Sequence, residues 1–287
     1  MKNILITGAN GQLGTELRVK SANFKGFNFL FTSRKNLDIT HKAEVEAFID
    51  KHNINLIINA AAYTAVDRAE AEPQIANLVN NVAVGYLADI AFRYDIPIIH
   101  ISTDYVFDGH SYRPYTEEDM TNPLSVYGKT KLDGEKKLYS YDKALIIRTS
   151  WLYSSYGKNF VKTILKLGEV RQKLGVVCDQ IGTPTYAANL ADFILYILPL
   201  LDQQDFPYGI YHFSDAGVAS WFDFAYYIAK LAKLSTFIYP ILTEDYPTAA
   251  KRPHYSVLNK QKLITTFGFS IQQWQESIQK CLFLIRN

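Results

Sequence analysis

Residues 4–14 read Ile-Leu-Ile-Thr-Gly-Ala-Asn-Gly-Gln-Leu-Gly, a short apolar run that leads directly into a turn with three glycines. The run is typical of a buried strand, and glycines at positions 8, 11 and 14 permit a tight turn into a helix whose free N–H groups attract a pyrophosphate. A strand-to-helix turn without a ligand has the same pattern, but its place immediately after a strand favours the binding interpretation. We therefore predict a dinucleotide-binding turn that begins at Gly8.

The rest of the first half alternates strands and helices. Apolar runs at residues 29–31, 56–58, 98–101 and 145–147 alternate with helical patterns such as residues 75–94. Continuously apolar strands separated by helices predict an α/β fold, a doubly wound parallel sheet of the Rossmann type. After residue 150 the loops lengthen and aromatic residues increase. We predict a dinucleotide-binding domain over 1–150 and a smaller C-terminal lobe, mainly substrate-binding, over 151–287, with a helix at about 186–201 able to return to the first domain.

The composition excludes several classes of protein. With 48% hydrophobic and 20% charged residues among 287, the chain can bury a full core. A net charge of +2 without long basic runs argues against nucleic acid and membrane surfaces, which leaves a small molecule as the partner. The two cysteines are far apart and lack metal-ligand spacing, so we expect no disulfide, no metal site and a cytoplasmic location.

The end of the second strand bears on the choice of cofactor. Residues 32–35 read Thr-Ser-Arg-Lys and lack the acidic residue that binds a free ribose 2′-hydroxyl in the NAD-preferring pattern. Ser33 and Arg34 suit a 2′-phosphate instead, although a solvated loop has the same composition. We predict that NADPH is preferred and that NADH is possible.

A Tyr-x-x-x-Lys pair, Tyr127 and Lys131, indicates the chemistry. Positions i and i+4 share one face of a helix, so the Lys131 ammonium can lie beneath the Tyr127 phenol, keep it acidic and hold the nicotinamide ribose. Thr103 follows an apolar strand and can polarise a substrate carbonyl while Tyr127 donates the proton. Chance spacing and a helix-capping role for Thr103 are the alternatives. The ordered set favours a nicotinamide-dependent carbonyl reductase with Thr103, Tyr127 and Lys131 as catalytic residues.

Longer segments resemble the extended short-chain dehydrogenase/reductases over nearly the whole chain. They are the glycine turn, residues 59–70, 102–107, 127–131, 148–151 (Arg-Thr-Ser-Trp), 179–185 (Asp-Gln-Ile-Gly-Thr-Pro-Thr) and 252–253. The resemblance implies NAD(P)H-dependent reduction of the C4 keto group of dTDP-4-dehydro-β-L-rhamnose to dTDP-L-rhamnose, a sugar donor. It implies cofactor contacts from Gly11, Gln12, Leu13, Asp38, Ile39, Ala62, Tyr63 and Thr64, and substrate contacts from Thr103, Asp104 and Trp151. Arg252 suits the substrate diphosphate, because a guanidinium fork matches phosphate oxygens.

Two departures and two rival functions bear on this resemblance. The acid after the second strand is missing, as described above. Some similar enzymes dimerise through magnesium held by glutamates; Glu16 matches one such position, but Asn189 replaces another acid, so we expect a monomer or a weak homodimer. An epimerase or dehydratase of the same superfamily is a rival, although Tyr105 rather than a second acid follows Asp104. A non-catalytic subunit, similar to the regulatory subunit of methionine adenosyltransferase, would not need an intact proton relay.

Overall fold

The computed structural model describes residues 1–22 and 24–286. Its strands are β1 Lys2–Thr7, β2 Phe27–Phe31, β3 Ile54–Asn59, β4 Ile98–Thr103, β5 Ala144–Thr149, β6 Leu152–Tyr153, β7 Lys173–Val177, β8 Ile181–Gly182, β9 Thr185–Tyr186, β10 Gly209–Phe213, β11 Ala219–Ser220 and β12 Phe237–Ile241. Its α-helices are α1 Gln12–Ser21, α2 Lys42–Lys51, α3 Val66–Ala71, α4 Pro73–Asn77, α5 Ala83–Arg93, α6 Val126–Lys136, α7 Phe160–Val170, α8 Ala187–Ile197, α9 Trp221–Leu231, α10 Gln261–Phe267 and α11 Trp274–Arg286. Shorter helical turns are Leu78–Val82 (π), Asp104–Val106, Leu198–Asp202 and Thr243–Asp245 (3₁₀).

Six strands form one parallel sheet in the order β10-β5-β4-β3-β1-β2, which confirms the predicted fold class. Successive residues of β1 alternate between the faces, so that Ile4 and Ile6 pack in one apolar core and Leu5 packs in another. The chain runs from β1 to β2 on one side and then to β3 on the other, so the strand order reverses at β1. Ligands of open α/β sheets bind outside the carboxyl ends of the strands at such a reversal.

Helices cover both faces of this sheet. On one face α1 packs against α8, and Leu17 and Phe193 share a core with Ile4. On the other face Ile49 of α2 and Leu87 of α5 pack in the core that contains Leu5. The later part of the chain therefore contributes to the sheet layers through α8 and also through β10, which pairs with β5. The division of the chain near residue 150 stays a prediction.

A second, smaller lobe has an apolar core of its own. Ile164 of α7, Phe224 of α9 and Ile278 of α11 are buried together there, and β7 pairs with β12 at its edge. β6 follows β5 after two residues and pairs with β9. The chain that follows β5 therefore begins next to the carboxyl end of that strand.

The helical run Pro73–Arg93 is long and apolar enough to cross a membrane by length and composition alone, with a mean hydropathy of 1.3. It consists of α4, the π-helical turn and α5. Leu87 and Ile90 on its inner face are fully buried against the sheet. The run therefore serves as a core helix of the first lobe.

Candidate active site

The glycine turn brings the ends of β1 and β3 into close contact. Gly8 has a φ of +68°, and a Cβ at this position would lie 2.5 Å from the Ala60 carbonyl oxygen. A Cβ at Gly14 would lie equally close, at 2.5 Å, to the Gly8 carbonyl oxygen. Gly11 begins α1 without a side-chain hydrogen bond to its first N–H groups. The start of α1 thus offers free N–H donors at the reversal of the sheet.

Gln12 and Leu13 occupy different environments within this turn. The Gln12 amide donates to the Leu152 carbonyl at 3.3 Å and accepts from the Asn159 amide at 2.9 Å, so it links the turn to the smaller lobe. Leu13 is 4% exposed and belongs to the apolar core, which leaves only its backbone to face a ligand.

At the end of β2, Arg34 lies on the surface and is paired with an acid. Its Nε donates to Asp38 Oδ2 at 3.0 Å while the Arg34 side chain stays 80% exposed. Burial raises the pKa of Asp38, but hydrogen bonds from Thr40 and Arg34 outweigh it and hold the pKa below its ordinary value. Ser33 donates to Asn36 at 2.7 Å, and Ile39 is buried. Ser33, Arg34 and Asp38 therefore form one polar corner beside the glycine turn.

The segment after β3, residues 62–64, is fixed by a side chain that the sequence reasoning missed. Asn80 accepts from the Tyr63 N–H at 2.8 Å and donates to the Tyr63 carbonyl at 3.1 Å and to Thr130 Oγ1 at 3.2 Å. Asn80 lies in the π-helical turn, a feature that is frequent at functional sites. The Tyr63 hydroxyl donates to Glu72 at 2.6 Å. The asparagine pair at residues 80 and 81, within a largely apolar helical run, was the available signal.

Helix α6 carries Tyr127 to the end of β4. Ser125 caps this helix by accepting from the Gly128 N–H at 3.2 Å. A Cβ at Gly128 would lie 2.2 Å from the Tyr105 carbonyl oxygen, so a glycine is required for this approach. The Tyr127 ring contacts the Tyr105 ring edge to face, with centroids 5.4 Å apart.

The half-buried Tyr127 meets Thr103 and Asp104, which are both buried, at this point. Burial raises the pKa of Tyr127 to about 12, a hydrogen bond with Thr103 opposes the rise, and Asp104 adds to it. Burial likewise raises the pKa of Asp104 to about 6, although hydrogen bonds with Ser256 and with Thr103 oppose the rise. Asp104 Oδ1 accepts from Thr103 Oγ1 at 3.0 Å, and the buried Oδ2 has no hydrogen bond of ordinary geometry among the described residues.

The Lys131 side chain lies against β4, and its effect on the pKa of Tyr127 stays a prediction. Its Nζ donates to the Ile101 carbonyl at 2.6 Å and lies 3.3 Å from His100 Nε2, so the charge is directed to β4. Burial lowers the pKa of Lys131 to about 8, and the charge of Glu135 opposes that shift.

Trp151, between β5 and β6, has an unusual backbone conformation. Its φ of +45° lies in the left-handed region that favours glycine. The indole stacks on Trp221 with centroids 3.5 Å apart, and a Cβ at Gly182 would lie 2.6 Å from the Trp151 ring. One face of Trp151 is therefore covered, and only its remaining surface is available to a ligand.

Arg252 is held by an acid rather than free. Its Nη2 donates to Asp67 Oδ2 at 2.7 Å and its Nη1 to Asp67 Oδ1 at 3.1 Å. The hydrogen bond with Arg252 is the largest cause that lowers the pKa of Asp67. Since α3 carries Asp67, this pair ties residues near the end of β3 to the later part of the chain.

Glu16 is buried, Asn189 is half-buried, and both have hydrogen-bond partners within the chain. Ser154 Oγ donates to Glu16 Oε1 at 2.6 Å, and the Asn189 amide donates to Asp215 and to Ser277 at 2.8 Å each. Within residues 1–22 and 24–286, no group of three or more His, Cys, Asp and Glu side chains is arranged to hold a metal ion.

Comparison with known proteins gives similarity over the full chain. The family model described as the RmlD substrate binding domain matches residues 1–286. A dTDP-4-dehydrorhamnose reductase of Aggregatibacter actinomycetemcomitans is 44% identical, covering 97% of this chain and 98% of that protein. A crystal structure of a dTDP-4-dehydrorhamnose reductase from Clostridium acetobutylicum superimposes with a TM-score of 0.94 at 41% identity, covering 99% of this chain and 100% of that one. The enzyme of the same name from Bacillus anthracis, in complex with NADP, has a TM-score of 0.92 at 37% identity, covering 99% of both chains.

Proposed function

Because the chain belongs to the RmlD substrate-binding-domain family, together with dTDP-4-dehydrorhamnose reductases, we propose that it reduces the C4 keto group of dTDP-4-dehydro-β-L-rhamnose to dTDP-L-rhamnose with NAD(P)H. The observation that carries the proposal is the cluster of Thr103 and Asp104, both buried, and the half-buried Tyr127 at the carboxyl end of β4. This group lies on the sheet whose strand order reverses at the glycine turn. The product is a donor of rhamnose for polysaccharide synthesis.

The residues at the turn fit a dinucleotide. Gly8 and Gly14 lack side chains where a Cβ would strike the backbone, and α1 begins with free N–H donors. A bound nicotinamide supplies the hydride. Tyr127 donates a proton to the carbonyl oxygen, because a phenol with an ordinary pKa of about 10 is protonated at neutral pH. Thr103 orients that oxygen, and Lys131 holds the cofactor ribose.

We assign the cofactor preference to the corner at the end of β2. Ser33 and Arg34 offer a hydroxyl and a guanidinium, and Arg34 is exposed enough to meet a 2′-phosphate while it remains beside Asp38. NADPH is therefore preferred over NADH. The backbone of Gly11, Gln12 and Leu13 faces the pyrophosphate.

The remaining assignments concern the sugar nucleotide and the assembly. Asp104 and the uncovered surface of Trp151 contact the sugar, and Arg252 contacts the diphosphate. Glu16 and Asn189 have partners within the chain, which supports a monomer without a metal bridge. A cytoplasmic location remains a prediction.

The test is an assay with the 4-keto substrate prepared in situ. We expect oxidation of NADPH that depends on the sugar nucleotide, at a kcat/KM higher than that with NADH. A lack of turnover with both cofactors contradicts the proposed reaction, and a clear advantage of NADH contradicts the cofactor preference alone.

A further inference from the structure

A row of buried polar side chains runs across three strands to Lys131. Thr7 ends β1, Asn59 ends β3, His100 lies in β4 and Lys131 projects from α6, and each is at most 1% exposed. The distances between neighbours are 2.7 Å from Thr7 Oγ1 to Asn59 Oδ1, 3.0 Å from Asn59 Nδ2 to His100 Nδ1 and 3.3 Å from His100 Nε2 to Lys131 Nζ. The proposed reaction assigns no role to Asn59 or His100.

The orientation of the Asn59 amide is determined by its neighbours. Asn59 Oδ1 accepts from the Thr7 hydroxyl at 2.7 Å and from the Ala61 N–H at 3.3 Å, and the Ala61 N–H also lies 3.3 Å from Thr7 Oγ1. The opposite orientation would place the NH₂ group beside the Ala61 N–H, two donors close together, and leave Thr7 Oγ1 as the one acceptor for both. The NH₂ group therefore points at His100 Nδ1 and donates to it.

This orientation selects one tautomer of His100. Burial, and after it the charge of Lys131, holds the pKa of His100 well below its ordinary value. The His100 ring is therefore neutral. A neutral imidazole carries one N–H. Since Nδ1 accepts from Asn59, the proton is on Nε2, and the Nε2–H group points at Lys131 Nζ.

An ammonium group has only donors, whereas an uncharged amine has a lone pair that can accept from the imidazole. We propose that His100 is a positioning residue: fixed by Asn59 as the Nε2–H tautomer, it presents a donor to Lys131 and favours the uncharged amine. Among the described side chains, Glu135 on the next turn of α6 is the acid whose charge acts on Lys131, and it opposes this effect.

The consequence for catalysis rests on the proposed function. Each reduction removes a proton from Tyr127, and that proton must be replaced from solvent. A lysine whose pKa burial lowers to about 8 can release a proton and regain one from water near that pH. The Asn59–His100 pair would therefore set the pH at which Lys131 loses its proton.

The direct test is the ¹⁵N NMR spectrum of the imidazole groups in the full-length protein, because protonated and unprotonated ring nitrogens have well-separated shifts. We expect His100 to carry its proton on Nε2. His212 is a matched control, since it is also buried but its Nδ1 lies 3.1 Å from the Tyr115 carbonyl and must carry the proton. A proton on His100 Nδ1 overturns the proposal, and this measurement requires no turnover.

A second measurement tests the effect on Lys131. The substitution H100F removes the donor that faces Lys131 Nζ. We expect the Lys131 pKa to rise by about one pH unit, which is a tenfold change in the ratio of amine to ammonium. The pKa is followed by NMR of labelled lysine, and K131M identifies the signal. If His100 instead accepts from the ammonium, the pKa falls, which overturns the proposal. Should H100F not fold, N59D replaces the amide donor by an acceptor, and its spectrum should show the proton moved to Nδ1.

The alkaline limb of the pH profile of kcat distinguishes a failure of the role of His100 from a failure of the proposed reduction. In H100F or N59D it should shift to higher pH with the Lys131 pKa. The expected tautomer without sugar reduction would contradict the proposed function and leave the role of His100 intact. Normal reduction with an unchanged limb would contradict the role of His100 alone.

Discussion

At the scale of single residues, the Tyr127 phenol is protonated at neutral pH and can supply the proton that reduction of a ketone requires. Burial raises its pKa to about 12, a hydrogen bond with Thr103 opposes the rise, and the nearby Asp104 adds to it. The Lys131 amine faces His100 and the Ile101 carbonyl.

The substitution Y127F tests this role. It removes the hydroxyl and keeps the ring, so we expect kcat to fall by about 100-fold or more while the Kd for NADPH changes little. Y105F is a matched control, because the Tyr105 ring contacts the Tyr127 ring without a proposed part in proton transfer. A kcat in Y127F equal to that of the unaltered enzyme would mean that another group supplies the proton.

The substitution R252A tests the assignment of Arg252 to the substrate diphosphate. R252A removes the guanidinium that we assign to the diphosphate, and a charged hydrogen bond of about 1.5–3 kcal/mol corresponds to a KM for the sugar nucleotide roughly 10- to 150-fold higher. The KM for NADPH should stay constant. R252K should not restore binding, since lysine lacks the fork that meets Asp67 through two nitrogens. Equal increases in both KM values would contradict the assignment.

At the scale of elements, α6 is anchored to the sheet by a buried ion pair. Glu135 accepts from Arg148 of β5, with Oε2 and Nη2 2.8 Å apart, and both side chains are at most 2% exposed. Ser102 of β4 also donates to Glu135. These contacts hold the helix that carries Tyr127 against the strands that end at the candidate site.

Loss of this anchor should destabilise the protein. E135Q leaves Arg148 buried without a counter-charge, so we expect the free energy of unfolding in urea to fall by about 3–5 kcal/mol with little change in m. E118Q is the control, because Glu118 is exposed. A loss in E135Q no larger than that in E118Q would show that the pair does not anchor α6.

The elements that could be predicted are those whose burial is uniform. β1, β3 and β4 are apolar on both faces, so their sequences indicate a parallel sheet without further information. β10 could not be predicted in the same way, because Gly-Ile-Tyr-His-Phe is short and partly polar and acquires its place only by pairing with β5. The pairing of Arg252 with Asp67 likewise joins residues 185 positions apart.

At the scale of the whole molecule, a buried acid joins the later elements to one another. Asp215 follows β10. Its carboxyl accepts from the Asn189 amide of α8 at 2.8 Å and from the Tyr186 N–H at 3.2 Å. Asn189 in turn donates to Ser277 of α11. Burial raises the pKa of Asp215 to about 6 in spite of these hydrogen bonds.

This acid should give stability a measurable pH dependence. A carboxyl whose folded pKa lies above its unfolded value of 3.8 stabilises the fold fully below pH 3.8 and loses that contribution as the pH rises through about 6. The stability of the unaltered protein relative to D215N should therefore decrease by up to about 3 kcal/mol between pH 4 and 7, measured by urea unfolding. The exposed D205N serves as the control. Parallel pH curves for the unaltered protein and D215N would contradict this account.

The reduction itself is tested most directly by following the transferred hydrogen. The 4-keto sugar nucleotide is incubated with the protein and NADPH that carries deuterium at the reactive C4 position of its nicotinamide, and the product is analysed by NMR and mass spectrometry. We expect dTDP-L-rhamnose with deuterium at sugar C4, and no such product in Y127F over the same time. Recovery of the keto sugar unchanged, or of a product without deuterium at C4, would contradict the proposed reaction.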